Sequence, residues 1–459
     1  MASLTRTARL QAEDHRCLWH PFTQQREWEQ EPPLIIERGR GVYLEDTDGH
    51  RYLDGVSSLW VNLHGHRKRE LDRALVAQLK KIAHSTLLGL ANVPSIELAR
   101  RLVALAPRGL TRVFYSDDGS TAVEVALKMA YQYWQLRGGP DTSKTRFLHL
   151  GQAYHGDTLG AVSVGGIPLF HERFKPLLFS TYEAHAPYCY RCPLDLTYPK
   201  CRVACADAVE DVLTQHHQSI AALVVEPMLL AAGGMITMPP GYLSKLRRLC
   251  TRYRVLLIAD EVATGFGRTG RMFACEHEGV KPDLMTVSKG LTGGYLPLAA
   301  TLTTERIYRA FLGRYEEFKT FFHGHSYTGN PLGCAVALAN LDIFARERTL
   351  HQLQSKITAL RRLLRPLGTH PHVGDIRQLG FLVGIELVRD RATKQPYPLT
   401  DRVGMHVAAE ARRLGMIIRP LGNVIVLMPP LSTTMKELRQ MVEIVTTAIG
   451  AVTSASTPG

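Results

Sequence analysis

The chain has 459 residues, of which 45% are hydrophobic, and a formal net charge of +13. This length can bury a large core and predicts two domains. Eight cysteines are too few for a disulfide scaffold. Residues 1–17 lack the apolar segment of a secretory signal, and the longest apolar stretch (220–238) is interrupted by Glu226, Pro227 and two glycines, which argues against a membrane span. We therefore expect a soluble, cytoplasmic protein.

The positive charge raises nucleic acid as a possible partner. The basic residues are nevertheless scattered, with short runs at His64–Arg69, Arg247–Arg254 and Arg361–Arg365. No run is interleaved with aromatic residues or forms a DNA-binding motif. We interpret them as solvated helix faces and expect no nucleic-acid partner, although a positive field could attract carboxylate substrates.

The N-terminal part predicts short strands rather than βα units. Residues 17–23 are aromatic and contain Pro21, so they read as irregular, and residues 34–55 alternate as strands around a hairpin turn at Asp48-Gly49. A helix is predicted over 70–82. From about residue 95 the pattern changes to βα units, which indicates a parallel sheet. The predicted helices here are 95–105 and 121–134, and the predicted strands are 111–115, 147–150, 221–225, 255–259 and 284–287.

Two of these strands are followed by residues whose side chains could take part in a reaction. Asp260 and Glu261 follow strand 255–259, and Lys289 follows strand 284–287 closely. Parallel strands end at the same edge of a sheet, where ligands bind in open α/β folds. A lysine is usually a solvated surface residue. A lysine paired with an acid at this edge instead favours a Schiff-base lysine with an acid opposite a pyridinium nitrogen.

Three further positions at this edge are candidates. Gly119 and Ser120 open a predicted helix, whose free N–H groups could seat a phosphate, although a serine there is often only a cap. Tyr154 and His155 lie on a glycine-flanked loop, where the alternatives are packing and structural roles. Glu226 ends strand 221–225 and could touch a ligand or support one that does.

Beyond about residue 345 the order of elements changes. Helix 352–367, strands 373–379 and 381–387, helix 402–414 and a final helix over 434–449 predict a small C-terminal domain that packs with the N-terminal segment. Arg419 lies near a strand end. It is either a surface ion-pair partner or a bidentate clamp for a substrate carboxylate.

The blocks DEVATGFGRTG (260–270) and SKGLTGGYLPLAA (288–300) resemble the class III pyridoxal-phosphate aminotransferases of fold type I. The resemblance covers about residues 17–450. It implies an α/β fold, with a large domain around a central, mostly parallel sheet and a small α+β domain from both termini. The expected boundaries are 1–64 (N-terminal segment joining the small domain), 65–344 (cofactor-binding domain) and 345–459 (C-terminal small domain).

The resemblance also implies pyridoxal 5'-phosphate as cofactor and a homodimer with composite sites. Lys289 and Asp260 are then catalytic, and Tyr154 stacks on the cofactor ring and contacts substrate. Gly119 and Ser120 hold the cofactor phosphate. The loop with Gly324, His325, Ser326 and Thr328 reaches the phosphate of the other subunit's cofactor.

Within this family, WHPFTQ, VSSLW, HGHRK, YHGDT and IIRPLGNVIVLMPP resemble the branch that aminates 8-amino-7-oxononanoate in biotin synthesis. The expected substrate-binding residues are Phe22, Leu59, Trp60, Tyr154, Gly324, Lys289 and Arg419. Phe22, Leu59, the HGHS at 323–326 and the HSTLLG at 84–89 resemble members that take the amino group from L-lysine, whereas many others use S-adenosylmethionine. We expect lysine.

Two other functions remain alternatives. One is a broader ω-amino acid or diamine transaminase, or a class III relative that decarboxylates or racemises. The other is a cofactor-binding transcription regulator, which would need a helix-turn-helix segment before the core, where the short N-terminus leaves no room.

Four of the cysteines, Cys189, Cys192, Cys201 and Cys205, lie close together in the sequence CYRCPLDLTYPKCRVAC. The Cys-x2-Cys opening suits zinc, but the Cys-x3-Cys close and the eight-residue gap match a zinc site only loosely. We expect reduced thiols and no bound metal.

Overall fold

A computed structural model describes residues 5–454. Residues 1–4 and 455–459 lie outside the described residues, and with them the outer limits of the two predicted terminal segments and the start of the stretch searched for a secretory signal. In the described chain, no helix is both long enough and apolar enough to cross a bilayer.

The helices and strands follow in chain order. The helices are α1 (Arg6–Cys17), α2 (Gln25–Trp28), α3 (Ser57–Trp60), α4 (Arg69–Leu79), α5 (Val93–Leu105), α6 (Gly119–Arg137), α7 (Leu159–Ser163), α8 (Pro168–His171), α9 (Cys205–His216), α10 (Tyr242–Arg252), α11 (Glu305–Ala310), α12 (Pro331–Arg346), α13 (Thr349–Leu364), α14 (Val403–Arg413) and α15 (Met435–Ser454). The strands are β1 (Ile36–Arg40), β2 (Tyr43–Asp46), β3 (Arg51–Asp54), β4 (Leu110–Ser116), β5 (Arg146–Leu150), β6 (Tyr182–Ala184), β7 (Ile220–Val225), β8 (Leu229–Leu230), β9 (Ile236–Thr237), β10 (Leu256–Asp260), β11 (Leu284–Val287), β12 (Ala299–Thr304), β13 (Val373–Leu379), β14 (Leu382–Asp390), β15 (Gln395–Pro396), β16 (Met416–Ile417) and β17 (Val424–Leu427).

A seven-stranded sheet forms the centre of the molecule, in the order β4-β12-β11-β10-β7-β5-β6. β12 is antiparallel to both of its neighbours, β11 and β4, and the other pairs in this sheet are parallel. Alternate residues of β10 belong to two separate hydrophobic cores. Leu257 and Ala259 pack in one core, and Leu256 and Ile258 pack in the other. Both faces of the sheet are therefore covered, which explains why these strands read as continuous apolar runs. The predicted mostly parallel sheet is confirmed.

The two ends of the chain meet in a second sheet. β3 pairs in parallel with β16, with Leu53 opposite Met416, so that strands from residues 36–54 and 416–417 form one layer. β13, β14, β15 and β17 form a further, four-stranded sheet of the C-terminal part. The predicted domain boundaries at residues 64 and 344 stay a prediction.

β10 and β11 position the candidate site. They are parallel neighbours, with Asp260 opposite Thr286, so that both end at one edge of the sheet. Asp260 is the last residue of β10, and Lys289 begins a short 3-10 helix two residues after β11. The sequence prediction that these residues share an edge is confirmed.

Candidate active site

A cavity of about 710 Å³ opens at the carboxyl edge of the central sheet. Asp260, Lys289, Gly119, Ser120 and Tyr154 all line it. The two residues at the strand ends and the helix N-terminus thus surround one space, as the sequence predicts. Its remaining walls include Leu59, Trp60, His155, Asp157 and Glu226.

Asp260 is buried and accepts hydrogen bonds at both carboxylate oxygens. Its Oδ1 accepts from Thr286 Oγ1 at 2.9 Å and from the Val262 backbone N–H at 3.1 Å. Its Oδ2 lies 2.7 Å from His155 Nδ1. An ionised carboxylate only accepts, so we place the proton of the ring on Nδ1. His155 Nε2 is buried and has no hydrogen-bond partner within residues 5–454.

Lys289 is half-buried, with a backbone φ of 37°. Its Nζ lies 5.5 Å from the centroid of the Trp60 ring. Burial lowers the pKa of the Lys289 ammonium below its usual value, while the carboxylates of Asp260 and Glu226 act in the opposite direction. Because desolvation outweighs the two carboxylates, the neutral amine, which is the nucleophilic form, becomes more accessible.

Asn340 fixes the backbone that follows Lys289. Its side-chain NH₂ donates to the carbonyls of Gly290 and Leu291, both at 2.9 Å. Its Oδ1 lies 2.7 Å from His64 Nε2, and burial lowers the pKa of His64 to about 4. A neutral His64 then donates from Nε2, so that this buried amide is satisfied at both ends.

The N-terminus of α6 forms a cradle beside these groups. Asp118 caps the helix by accepting from the Thr121 N–H at 3.0 Å. Ser120 Oγ accepts from the Thr158 N–H at 3.0 Å and lies 2.9 Å from Thr158 Oγ1. Gly156 has a φ of 124°, and a Cβ there would lie 2.3 Å from Ser120 Oγ. Only glycine therefore allows the 154–158 loop to pack this closely on the helix start.

Glu226 connects the aromatic wall of the cavity to the sheet. It is buried and accepts from the Tyr154 N–H at 3.0 Å and from the Ala231 N–H at 2.9 Å. Burial raises the pKa of Glu226 to about 7. Tyr154 also donates from its hydroxyl to Asp157 at 2.8 Å, so its ring is fixed at both ends.

Leu59 and Trp60 enter the cavity from an unusual segment. α3 is a left-handed turn, since Ser57, Ser58, Leu59 and Trp60 have φ values of 52°, 49°, 69° and 73°. Asp54 holds this turn by accepting from the Ser58 N–H at 2.8 Å and from its hydroxyl at 2.7 Å. A left-handed turn of non-glycine residues costs free energy, so its place at a cavity wall points to a functional constraint.

The remaining predicted residues do not line this cavity within the described chain of one protomer. Phe22 instead packs edge-on against Phe170, whose ring also contacts Tyr154. His325 approaches the cavity indirectly, because its Nδ1 lies 3.5 Å from Oδ2 of the lining residue Asp117. Arg419, Gly324 and Ser326 are exposed, and none belongs to the lining.

The sequence did not reveal the contacts of two buried residues, His155 at the site and Arg268 beside it. His155 reads as a supporting histidine, although it contacts Asp260 directly. Arg268, in the GFGRTG block, is fully buried and donates to Pro429 O at 2.8 Å and Asn62 O at 2.9 Å. It thereby joins the loop after β10 to both terminal segments. The buried glycine-rich block was a visible signal, but its partners are distant in sequence.

The four clustered cysteines line one small cavity and are free thiols. Burial raises the pKa of the Cys205 thiol to about 12. Between residues 5 and 454 no three Cys, His, Asp or Glu side chains are arranged to hold a metal ion.

The sequence model of the class III aminotransferases matches residues 24–449. The chain is a class III aminotransferase. Adenosylmethionine-8-amino-7-oxononanoate aminotransferase of Nitratidesulfovibrio vulgaris is 56% identical over 455 residues, which are 99% of this chain and 84% of the relative.

Solved structures agree with this family. The crystal structure of the enzyme of the same name from Methanocaldococcus jannaschii has a TM-score of 0.92 and 48% identity, covering 96% of this chain and 98% of that one. An (S)-enantioselective ω-transaminase from Thermomicrobium roseum has a TM-score of 0.93 and 36% identity, covering 98% and 100%. The fold is therefore that of the fold type I transaminases.

Enzymes of this family use pyridoxal 5'-phosphate, and the residues at the cavity fit that group. A lysine with a lowered pKa, a buried carboxylate and a helix N-terminus meet there. Gly119 allows the start of α6 to pack against Val262 at the cavity, since a Cβ at this position would lie 2.6 Å from Val262 Cγ1. This class III aminotransferase is thus a pyridoxal-phosphate-dependent transaminase.

Proposed function

We propose that this aminotransferase transfers an amino group to 8-amino-7-oxononanoate and so forms 7,8-diaminononanoate for biotin synthesis. The observation that carries this proposal is the identity of 56% and 48%, over 99% and 96% of this chain, to enzymes named for that acceptor. A cavity of about 710 Å³ with Leu59 and Trp60 in its wall also suits an acceptor with a long apolar chain.

Lys289 and Asp260 are the proposed catalytic residues. The cofactor supplies an aldehyde that carries the amino group between donor and acceptor, and a ring that withdraws electrons. Lys289 would hold that aldehyde and, once free, its Nζ would take the proton from the donor carbon that bears the amino group. Asp260 would keep a proton on the ring nitrogen, because its negative charge stabilises the cation.

The other side chains orient the reacting groups. Gly119 and Ser120 would hold the phosphate at the positive end of α6. Tyr154 would pack on the ring, and its hydrogen bonds to Asp157 and Glu226 support a fixed orientation. Trp60 and Leu59 would contact the acceptor chain, and Phe22 would reach it at the rim. Arg419 would bind its carboxylate.

We propose a homodimer with composite sites. Gly324, His325 and Ser326 are absent from the cavity lining of their own protomer, and Ser326 is exposed. This loop would therefore contribute to the cofactor phosphate site of the partner subunit. The exposed apolar residues nearby, among them Phe322 at 75% and Tyr327 at 58% exposure, support burial of this region against another chain.

L-Lysine is the amino donor that we propose, on the basis of Leu59 in the cavity wall and of Phe22, whose ring packs on Phe170 next to the lining residue Tyr154. Both side chains are apolar and more than half exposed, at 56% and 54%. S-Adenosylmethionine is the second candidate, because the N. vulgaris and M. jannaschii relatives carry it in their names.

A half-reaction distinguishes these functions. The holoenzyme is mixed separately with L-lysine and with S-adenosylmethionine, and the cofactor absorbance is followed as the amino group is taken up. We expect loss of the starting band with lysine and its return on addition of 8-amino-7-oxononanoate. If only S-adenosylmethionine gives this cycle, the donor is S-adenosylmethionine instead of lysine, and the proposed acceptor is retained.

Lys289→Ala is the matched control and should show neither half of the cycle. The starting absorbance band of the cofactor could fail to return with 8-amino-7-oxononanoate while an ordinary ω-amine is converted. The protein would then be a broad ω-transaminase and the proposed function would be wrong. The structural likeness to the T. roseum ω-transaminase makes this the alternative to test.

A further inference from the structure

A second cavity, of about 480 Å³, lies at the opposite edge of the central sheet. Val255 and Leu256, at the start of β10, line it together with Asp283, which directly precedes β11. Asp260 and Lys289 lie beyond the other ends of these same strands. A strand advances about 3.3 Å per residue, so the two cavities are roughly 15 Å apart along the strands. The second cavity is separate from the candidate active site.

Positive charge dominates this second cavity. Five cationic side chains line it: Arg137, Arg247, Arg254, Lys281 and Arg306. Asp283 is the acidic lining residue, and Asp141, which is not part of the lining, pairs with two of the lining arginines. The five lining cations and these two aspartates leave an excess of three positive charges, and the ammonium of Lys144, 5.0 Å from the ring of the lining residue Trp134, adds to it.

The two aspartates arrange the arginines in pairs. Asp141 binds Arg137 at 3.0 Å and Arg254 at 3.2 Å. Asp283 binds Arg247 at 2.8 Å and Arg306 at 2.7 Å. Each carboxylate thus orients two guanidinium groups but neutralises only one of them. The arginines are held in place before any ligand arrives, which reduces the entropy lost on binding.

Unused donors point to a ligand. Arg247 Nε is buried and has no hydrogen-bond partner in the part of the chain that the structure describes. Lys281 is exposed and makes no ion pair with any residue of 5–454. The guanidinium carbons of Arg137 and Arg306 each lie 5.8 Å from the centroid of the Tyr133 ring. This buried ring also lines the cavity.

We propose that this cavity binds a small polyphosphate anion through a diphosphate group. Planar guanidinium groups match phosphate oxygens in pairs, and several of them can contact one diphosphate. A diphosphate carries more negative charge than a single phosphate monoester, which has about −1.5 to −2 near neutral pH, and so offsets most of the local excess. A single carboxylate would leave most of that excess unbalanced. The basic run Arg247–Arg254 is therefore more than a solvated helix face, since two of its arginines belong to this site.

Calorimetric titration of the holoenzyme with inorganic pyrophosphate tests the proposal. The cofactor must be bound, so that its own phosphate fills the cradle at Gly119 and Ser120. We expect one pyrophosphate per protomer and an affinity that falls as salt is added. ADP forms the second arm: equal affinity would mean that the diphosphate alone is recognised, and tighter binding would mean a nucleotide ligand.

Two substitutions and one control locate the site. Arg247→Gln should weaken pyrophosphate binding about tenfold or more, because a charged hydrogen-bonding group is lost. Lys281→Gln breaks no ion pair among the described residues, so it should fold normally and weaken binding several-fold. Arg413→Gln removes the same charge from an exposed pair with Glu410 and should change nothing. The absence of pyrophosphate binding, or equal affinity in all three variants, would overturn the proposal. It does not depend on the proposed acceptor or donor.

Discussion

His155 Nδ1 lies 2.7 Å from Asp260 Oδ2, and both side chains are buried. The contact joins the 154–158 loop to the end of β10. Thr286 and the Val262 N–H occupy the other oxygen of Asp260, so His155 alone fixes Oδ2 among the described residues. The carboxylate that we propose to face the cofactor is therefore held by three donors in one orientation.

His155→Leu should lower kcat about tenfold to a hundredfold, because a hydrogen bond to a charged group is lost and Asp260 can rotate. The measurement is the rate of the full reaction together with its pH profile. His155→Asn is the matched variant, since its side-chain amide can donate near the position of Nδ1. It should recover part of the rate. Equal rates for the two variants would mean that the histidine only fills space.

Gly156→Ala should weaken cofactor binding strongly. The new Cβ would lie 2.3 Å from Ser120 Oγ, and a φ of 124° is strained for alanine. Gly109→Ala is the control, because it has a φ of 107° but nothing within 4 Å of the new Cβ. Titration of both apo variants with pyridoxal 5'-phosphate gives the comparison. A similar loss of cofactor affinity in both variants would show that the loss comes from alanine at a positive φ and not from displacement of Ser120.

The central fold could be predicted because each strand is a continuous apolar run that both sheet faces bury. β11 matches its predicted limits, Leu284–Val287, and β10 differs from its own by one residue at each end. α1 (Arg6–Cys17) was not predicted, since this segment is largely polar and only Asp14 is buried in it. Its position depends on contacts such as the hydrogen bond from Trp28 Nε1 to Asp14 at 2.8 Å.

Reasoning from the residues alone predicted site positions where a reactive side chain follows a strand end or begins a helix, whereas Tyr154, Leu59 and Trp60, which also line the cavity, were predicted from the family resemblance. Asp260, Lys289 and Ser120 are of the first kind. His155 gave no such signal, because its partner is 105 residues away in the chain. The left-handed turn Ser57–Trp60 contains no glycine that would indicate positive φ. The roles of Arg419 and of the 324–326 loop stay predictions from the family resemblance, because they depend on a bound substrate and on a partner chain.

Glu226 should make folding stability depend on pH. Burial raises its pKa from 4.5 to about 7, so between these values the folded state binds more protons than the unfolded one. Its stabilising contribution is complete below pH 4.5 and disappears as the pH rises to 7, a change of about 3 kcal/mol. We expect wild type to lose this much relative to Glu226→Gln between pH 4.5 and 8 in denaturant melts. Parallel curves for the two proteins would contradict the raised pKa.

Leu59 combines backbone strain with a place in the cavity wall. Its φ of 69° and ψ of 54° are unfavourable for a branched side chain, and 54% of its surface is exposed. Glycine removes that strain, worth about 1 kcal/mol, and this offsets the greater freedom of glycine in the unfolded chain. Leu59→Gly should therefore leave the free energy of unfolding nearly unchanged.

The same substitution should still impair the reaction, because the apolar contact that we propose between Leu59 and the acceptor chain is lost. We expect the KM for 8-amino-7-oxononanoate to rise several-fold with little change in melting temperature. Leu399→Gly is the control: this leucine is 64% exposed and begins a short 3-10 helix, where glycine relieves no strain and should lower the melting temperature. If Leu59→Gly destabilises as much as Leu399→Gly, the left-handed turn is not strained; if KM is unchanged, Leu59 does not contact the acceptor.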